Sequence, residues 1–304
     1  MDFEQICVIC KEYVFITFFV ILKSNLKNNG CGKLRVEIIF LGSGGGRWAT
    51  ITQTKATGGF RIHTEKTKLH VDPGPGALVR MRELKITPWG TNALFISHCH
   101  PDHYTDGEVI IEAMTRGMTQ KNGVIISNFT VLEGFGDFEN AISKYHQSKV
   151  LKRYILYPKD SAKVYDIELI ATKTKHGDPY GIGARIKTKK GDIGYTGDTE
   201  YIDSLVEDFD GVRVFIANVV RKKNERIRGH LCSNDVIDLV NSMNKKPELI
   251  IMNHMGVKMT NPIKEANYIA ENTETNVIPA KLGLKIELLE EGYLSYIIGQ
   301  EKTV

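Results

Sequence analysis

The sequence is poor in cysteine. It has five cysteines in 304 residues, an odd number spread widely along the chain. This distribution argues against a disulfide framework and predicts a reducing, cytoplasmic location. Cys7 and Cys10 form a single C-x-x-C pair, and without a second pair ordinary cysteines are a better interpretation than a zinc or redox site. The remaining cysteines are Cys31, Cys99 and Cys232.

The sequence also lacks an apolar run long enough to cross a membrane. Residues 13–22 are apolar, but this run is much shorter than the roughly 20 residues that a spanning helix needs. Asp2 and Glu4 stand where a signal peptide would carry positive charge, so no leader is expected. We interpret residues 1–33 as an N-terminal extension, either accessory or foreign to the native protein. Residues 34–304 are then the domain, with no membrane partner.

Neither sign of charge dominates the composition. The 40 lysines and arginines exceed the 36 aspartates and glutamates slightly, for a net charge of +4, which does not by itself require a nucleic-acid partner. With 42% hydrophobic and 25% charged residues, the chain has the composition of a soluble protein with a sizeable core.

Short apolar runs alternate with glycine-rich turns. Strands in hairpins come first, and strands that alternate with helices follow them. This order predicts an α/β sandwich, in which two β-sheets pack face to face and the helices lie outside. The predicted helices are 77–84, 106–116 and 234–243, and the predicted strands are 35–41, 60–63, 68–71, 93–97, 124–126, 153–157, 167–172, 181–188, 193–196, 212–217 and 249–252.

Histidines and aspartates follow the ends of several predicted strands. His98, His100, Asp102 and His103 come directly after strand 93–97. A rigid sheet can hold such side chains in fixed geometry while the loops leave a coordination position open. Imidazoles and carboxylates together suit zinc, with iron or manganese as alternatives, and the ligands are numerous enough for two ions. Three further candidates stand after later strands: His176, Asp198 and His254.

The segment from His98 to His103 is identified as the H-x-H-x-D-H signature of the metallo-β-lactamase superfamily. The resemblance extends from about residue 34 to the C-terminus, and it implies an αββα sandwich and a hydrolase with two divalent metal ions. Asp72, at the end of strand 68–71, resembles the acidic residue of the superfamily that orients metal ligands. The resemblance assigns His98, His100 and His176 to one ion, Asp102, His103 and His254 to the other, and Asp198 to both.

His230 points to a subgroup of this superfamily. Within the stretch 229–233 it resembles the additional histidine of the tRNase Z-like phosphodiesterases, which stands at the start of a helix. Ser233 or Asn234 is expected to be the N-cap of that helix. The alternative interpretation is a surface histidine. The glycine-rich stretch 42–46 is similar to the opening turn of the same subgroup and makes Ser43 a candidate substrate contact.

The interval between His176 and Asp198 departs from the tRNA-processing members. Asp198 follows His176 by only 22 positions, which leaves room for one hairpin but not for the tRNA-gripping arm that many of those enzymes insert there. In this respect the chain more closely resembles the cyclic-phosphodiester hydrolases of the subgroup. We therefore predict a phosphodiesterase that acts on RNA or on a small or cyclic phosphodiester.

The predicted reaction uses residues beside the metal ions. Asp102 is expected to orient and deprotonate the attacking water, with Asp198 as an alternative, and His230 to protonate the leaving oxygen. A basic stretch precedes His230, and it would either attract phosphate or be a solvated loop. Its candidate substrate contacts are Arg221, Lys222 and Lys223. A homodimer is left open.

Other functions stay open at this stage. A glyoxalase II-like thioesterase or a lactonase would use the same metal ligands but has no need of His230. A non-catalytic nucleic-acid-binding protein on this fold would be expected to have lost ligands, whereas this chain keeps all of them.

Overall fold

The structure is a computed structural model that describes residues 35–299. The predicted N-terminal extension, with its apolar run and the pair Cys7 and Cys10, lies outside the described residues. The strands are β1 (Val36–Gly42), β2 (Thr57–His63), β3 (Lys68–Val71), β4 (Ala93–Ile96), β5 (Val124–Ser127), β6 (Lys152–Ile155), β7 (Ser161–Val164), β8 (Ile167–Lys173), β9 (Ile182–Lys187), β10 (Ile193–Tyr195), β11 (Val214–Arg221), β12 (Leu231–Cys232), β13 (Leu249–Asn253), β14 (Asn276–Pro279), β15 (Leu284–Leu288) and β16 (Tyr293–Ile297).

Short helices connect many of these strands. A 3₁₀ turn, Pro88–Gly90, precedes β4. The α-helices are α1 (Arg47–Thr52), α2 (Ala77–Glu83), α3 (Pro101–Tyr104), α4 (Gly107–Met114), α5 (Phe129–Glu133), α6 (Lys144–Gln147), α7 (Ser204–Phe209), α8 (Ser233–Asn241) and α9 (Pro262–Thr273).

The strands form two sheets. The first has the order β16-β15-β1-β2-β3-β4-β5-β6, and the second has the order β14-β13-β11-β10-β9-β8-β7 with β12 paired to β11. In the first sheet β3 to β6 are parallel, and in the second β10, β11, β13 and β14 are parallel. Parallel strands end at the same edge of a sheet, so the loops that follow them are brought together.

The core lies between the two sheets. Side chains alternate along a strand, so in β1 Ile38 and Phe40 face the second sheet while Leu41 faces the outer helices. The ring of Phe60 packs edge-on against Tyr195 of the second sheet, with 5.1 Å between centroids. Apolar side chains of α2 and α4 cover the first sheet, and those of α8 and α9 cover the second. The predicted αββα sandwich is confirmed.

The predicted helices and strands are all present, with boundaries shifted by a few residues. The predicted N-cap of α8 is wrong, because the helix begins at Ser233 and Cys232 is its N-cap. The amide of Cys232 donates to Asp235 Oδ2 over 2.9 Å, which secures the first turn. Ser233 Oγ donates instead to Glu265 of α9, over 2.8 Å.

None of the helices within residues 35–299 is long and apolar enough to cross a membrane. Cys99 and Cys232, the two cysteines in this part of the chain, are free and buried. The cytoplasmic location and the homodimer stay predictions.

Candidate metal centre

The candidate ligands follow the carboxyl ends of strands in both sheets. The segment 98–103 follows β4, while His176, Asp198 and His254 follow β8, β10 and β13. Their side chains converge in one cluster, in which overlapping groups of three have ligand atoms within 4.8 Å of one another. These residues lie together because the strands that precede them end at one edge of the sandwich.

Three histidines form one side of the cluster. His100 Nδ1 lies 3.1 Å from His98 Nε2 and 2.9 Å from His176 Nε2. His176 is oriented by its other nitrogen, Nδ1, which donates to the carbonyl of Gly229 over 2.7 Å. Burial, aided by the charge of His103, holds the pKa of His98 well below its usual range. The neutral imidazole favoured in this way is the form that binds metal ions.

Two histidines and a carboxylate form the other side. His254 Nε2 lies 2.9 Å from His103 Nε2 and 3.1 Å from Asp102 Oδ2. Burial opposes ionisation of Asp102, but the neighbouring charges of His103 and His254 outweigh it and hold the pKa of this carboxyl below its usual range. Asp102 is therefore available as an anionic ligand.

Asp198 lies between the two sides. Its Oδ2 atom is 3.9 Å from His98 Nε2 and 3.8 Å from His176 Nε2, and it is 3.5 Å from His103 Nε2 and 3.3 Å from His254 Nε2. Burial opposes its ionisation, but the charges of His254 and His103 hold its pKa well below the usual range. One oxygen atom thus faces both groups of nitrogens.

The cluster offers nitrogen and oxygen donors for divalent metal ions, and its buried negative charge also favours cations. Asp72, Asp102 and Asp198 are carboxylates in a buried or nearly buried setting, and no lysine or arginine of the described residues contacts them. Buried carboxylates need a compensating cation or proton. Buried Nδ1 of His230 has no hydrogen-bond partner in the protein and lies 3.5 Å from Asp198 Oδ2. Bound cations would compensate the charge of the carboxylates.

Asp72 lies behind His103 and accepts several hydrogen bonds. Its Oδ2 atom is 2.8 Å from His103 Nδ1, 2.7 Å from Ser97 Oγ and 2.6 Å from the hydroxyl of Tyr195. Its Oδ1 atom accepts from the amide of Ser97 over 2.7 Å. The backbone of Asp72 has φ of 48°, a region that non-glycine residues rarely occupy. These contacts fix the ring orientation of His103, with Nε2 directed into the cluster.

His230 lies at the rim of the cluster. It follows the basic stretch and stacks near His254, with 5.8 Å between ring centroids, and it lines a surface pocket of about 410 Å³. Burial lowers the pKa of His230 to about 4, although the charge of Asp198 opposes the shift. The side chain is only partly exposed, and its role as a proton donor stays a prediction.

The glycine-rich stretch contacts the cluster through its backbone. The amide of Gly46 donates to Asp102 Oδ2 over 2.9 Å. Ser43 is buried, and its carbonyl accepts from the amide of Met255 over 2.6 Å, which ties the stretch to the residue after His254. The substrate contact predicted for Ser43 stays a prediction, and the structure gives this stretch a positioning contact that the sequence did not suggest.

The three basic candidates separate in the structure. Arg221 and Lys222 line a surface pocket, but Lys223 does not. Its ammonium group lies 5.3 Å from the ring centroid of Tyr268 on α9. Lys223 is thereby drawn toward α9, because the ring attracts its charge.

Two further residues support the cluster and were not predicted from the sequence. Asn218 Nδ2 donates to Asp198 Oδ1 over 2.8 Å, and the hydroxyl of Tyr195 donates to Asp72. A usable signal was present for Asn218, since it is a polar residue in the middle of β11, where the residues on either side are apolar. Buried polar residues in a strand need a partner, so such a position is a candidate for contact with the site.

Comparisons with known proteins agree with this architecture. The model of the β-lactamase superfamily domain matches residues 67–255. The protein MJ1374 of Methanocaldococcus jannaschii is 70% identical over 265 residues, which cover 87% of this chain and 100% of the relative. Ribonuclease Z of Sulfolobus acidocaldarius is 24% identical, covering 78% and 94% of the two chains. The crystal structure of the metallo-β-lactamase fold protein YhfI from Bacillus subtilis superposes with a TM-score of 0.71 at 19% identity, covering 84% and 100%. The chain belongs to the metallo-β-lactamase superfamily.

Proposed function

We propose that this chain is a metal-dependent hydrolase that cleaves phosphodiester bonds with two divalent metal ions. The observation that carries the proposal is the position of Asp198 Oδ2, which lies within 3.9 Å of histidines on both sides of the cluster and 3.5 Å from His230. The name of the Sulfolobus relative, ribonuclease Z, supports a phosphodiester substrate.

The proposed metal ligands form two sets of three residues, one for each ion, and one residue shared by both ions. His98, His100 and His176 would hold one ion, and Asp102, His103 and His254 the other, with Asp198 shared. Two divalent ions, zinc by donor type or else manganese or iron, would act as Lewis acids and lower the pKa of water toward about 7. Asp72 would keep His103 oriented as a ligand, a role in which hydrogen-bonded partners raise metal affinity.

The remaining residues supply proton transfer and orientation. Asp102 is ionised and is held by Gly46, so its carboxylate can accept a hydrogen bond from the attacking water. His230 would donate a proton to the leaving oxygen. The negative charge of a bound phosphodiester beside the imidazole would favour its protonated form.

Thioesterase and lactonase activities are the competing possibilities on the same ligands. They have no need of His230, whereas this side chain points its unpartnered Nδ1 at the cluster. A non-catalytic nucleic-acid-binding role is disfavoured by the convergence of the complete ligand set.

The test is a substrate panel with the metal-loaded protein. Bis-p-nitrophenyl phosphate and a single-stranded RNA should be hydrolysed, while a thioester and a lactone should be turned over much more slowly. The proposal is wrong if the thioester or the lactone is the preferred substrate, or if no phosphodiester is cleaved by protein that contains metal.

A further inference from the structure

A basic surface pocket adjoins the pocket of His230. It has a volume of about 480 Å³ and is lined by Arg221, Lys222, Arg226, Ile227 and Lys258, among others. Arg226 and Ile227 also line the pocket of His230. The two pockets therefore share part of their lining.

Two of the cations in the basic pocket are already compensated by carboxylates. Lys222 Nζ lies 3.8 Å from Glu225 Oε1. Arg226 Nε donates to Asp235 Oδ1 over 2.7 Å, and its Nη2 lies 3.6 Å from Asp238 Oδ2. Each of these two cations therefore has a carboxylate beside it that offsets its charge.

Arg221 and Lys258 differ from these two residues. No carboxylate of residues 35–299 forms an ion pair with either side chain, although both line the same pocket. Arg221 is half-buried, and a half-buried guanidinium without an anionic partner is a favourable site for phosphate. The pocket therefore carries uncompensated positive charge beside the proposed general acid.

The backbone fixes the positions of both residues relative to the metal centre. Arg221 is the last residue of β11, and Lys258 lies in the turn that follows His254. The amide of Gly256 in this turn donates to the carbonyl of Val220 over 3.3 Å, and the amide of Met259 donates to Gly256 over 3.0 Å. The arrangement is thus built into the loop that also carries a proposed metal ligand.

We propose that Arg221 and Lys258 form a second anion subsite, which binds a phosphate of the substrate other than the phosphate that is hydrolysed. The inference rests on the proposed phosphodiesterase function and narrows its substrate to a single-stranded nucleic acid. Such a strand carries phosphates in series, so one can occupy the basic pocket while its neighbour lies at the metal centre. A diester with a single phosphate has no group for this pocket.

The salt dependence of RNA binding tests the subsite without requiring turnover. Binding of a labelled single-stranded RNA to the metal-loaded full chain is measured by fluorescence anisotropy, under conditions in which a gel shows that the RNA stays intact. Each lost phosphate contact should reduce the slope of log K against log salt by about 0.7. Because Arg221 and Lys258 share one phosphate, Arg221→Gln and Lys258→Ala should each show part of this reduction, and the double variant should show the whole of it. Lys264→Ala, which removes the same charge from an exposed position on α9 outside both pockets, is the control.

Kinetics separate a failure of the subsite from a failure of the proposed function. The two variants should lower kcat/KM for single-stranded RNA at least about tenfold more than kcat/KM for bis-p-nitrophenyl phosphate, which has one phosphate. Equal losses on both substrates would place the cations at the hydrolysed phosphate and overturn the inference. Slopes equal to that of Lys264→Ala would overturn it as well. Absence of any phosphodiester hydrolysis by the wild type would overturn the proposed function, while the binding slopes would still decide whether the subsite exists.

Discussion

The imidazole of His254 packs directly against the main chain of Gly45. A β-carbon placed on Gly45 would lie 2.1 Å from Cγ of His254, which is far too close for two carbon atoms that are not bonded to each other. The close approach explains why a glycine is needed at this position, since any side chain would displace a proposed metal ligand.

Gly45→Ala should therefore weaken metal binding. The added methyl group must displace the imidazole of His254 from its present position, and such disturbance of ligand orientation typically costs about 10- to 100-fold in metal affinity. Competition with a chromophoric chelator measures the loss. Gly90→Ala is the control, because a β-carbon on Gly90 meets nothing within 4 Å. Equal affinities for the two variants would contradict the proposed role of His254.

Asp198→Ala should lower the number of metal ions that the protein retains. Asp198 is the proposed shared ligand, so its loss removes a carboxylate from both ions at once. Reconstituted wild-type protein should contain about two transition-metal ions per chain by elemental analysis. Asp137→Ala, at an exposed loop position, should keep the wild-type content. A wild-type chain that binds no metal after reconstitution would refute the metal centre itself.

The sequence predicted those site residues that stand next to a recognisable strand. His98, Asp198 and His254 could be found because a ligand-type residue directly after an apolar strand lies at a sheet edge whatever the rest of the fold does. The contact of Gly46 with Asp102 spans 56 positions and uses a backbone amide, so no residue type reveals it. Contacts of this kind depend on the completed packing.

The missed or incorrect elements have related causes. The expected N-cap at Ser233 was wrong because its hydroxyl finds Glu265 on another helix, and tertiary contact overrides local preference. Strands β7, β12, β14, β15 and β16 were not predicted. Of these, β16 has largely exposed residues at the edge of the first sheet and shows no buried alternation. Such an element is set by pairing with β15 rather than by its own pattern.

A buried arginine makes the stability of the domain dependent on pH. Arg61 is almost fully buried; its Nε donates to His63 Nε2 over 2.9 Å, and its Nη1 lies 3.3 Å from His70 Nδ1. His70 Nε2 is 3.0 Å from the carbonyl of Gly58, so Nε2 carries the proton and Nδ1 faces the guanidinium. Burial, followed by the charge of Arg61, lowers the pKa of His70 to about 3.

Stability should consequently fall as the pH is lowered below about 6.5. In that range an unfolded histidine takes up a proton, whereas His70 in the folded state does not until about pH 3. The unfolded state binds more protons, so each such histidine costs up to about 1.4 kcal/mol per pH unit. His70→Asn removes the titrating group, and its free energy of urea unfolding should depend less steeply on pH between about 6 and 4, by up to that amount. Parallel curves for wild type and variant would contradict this assignment.

His230→Ala should separate a proton donor from a metal ligand. A leaving alkoxide is a strong base, and general acid catalysis of its departure is typically worth about 10² to 10⁴ in rate. The variant should therefore hydrolyse an alkyl phosphodiester more slowly by roughly that factor and keep its metal content. A nitrophenyl phosphodiester, whose leaving group needs little protonation, should be affected much less. Equal losses on both substrates would remove the acid role, and loss of metal would make His230 a ligand, for which its 3.5 Å distance from Asp198 Oδ2 leaves room.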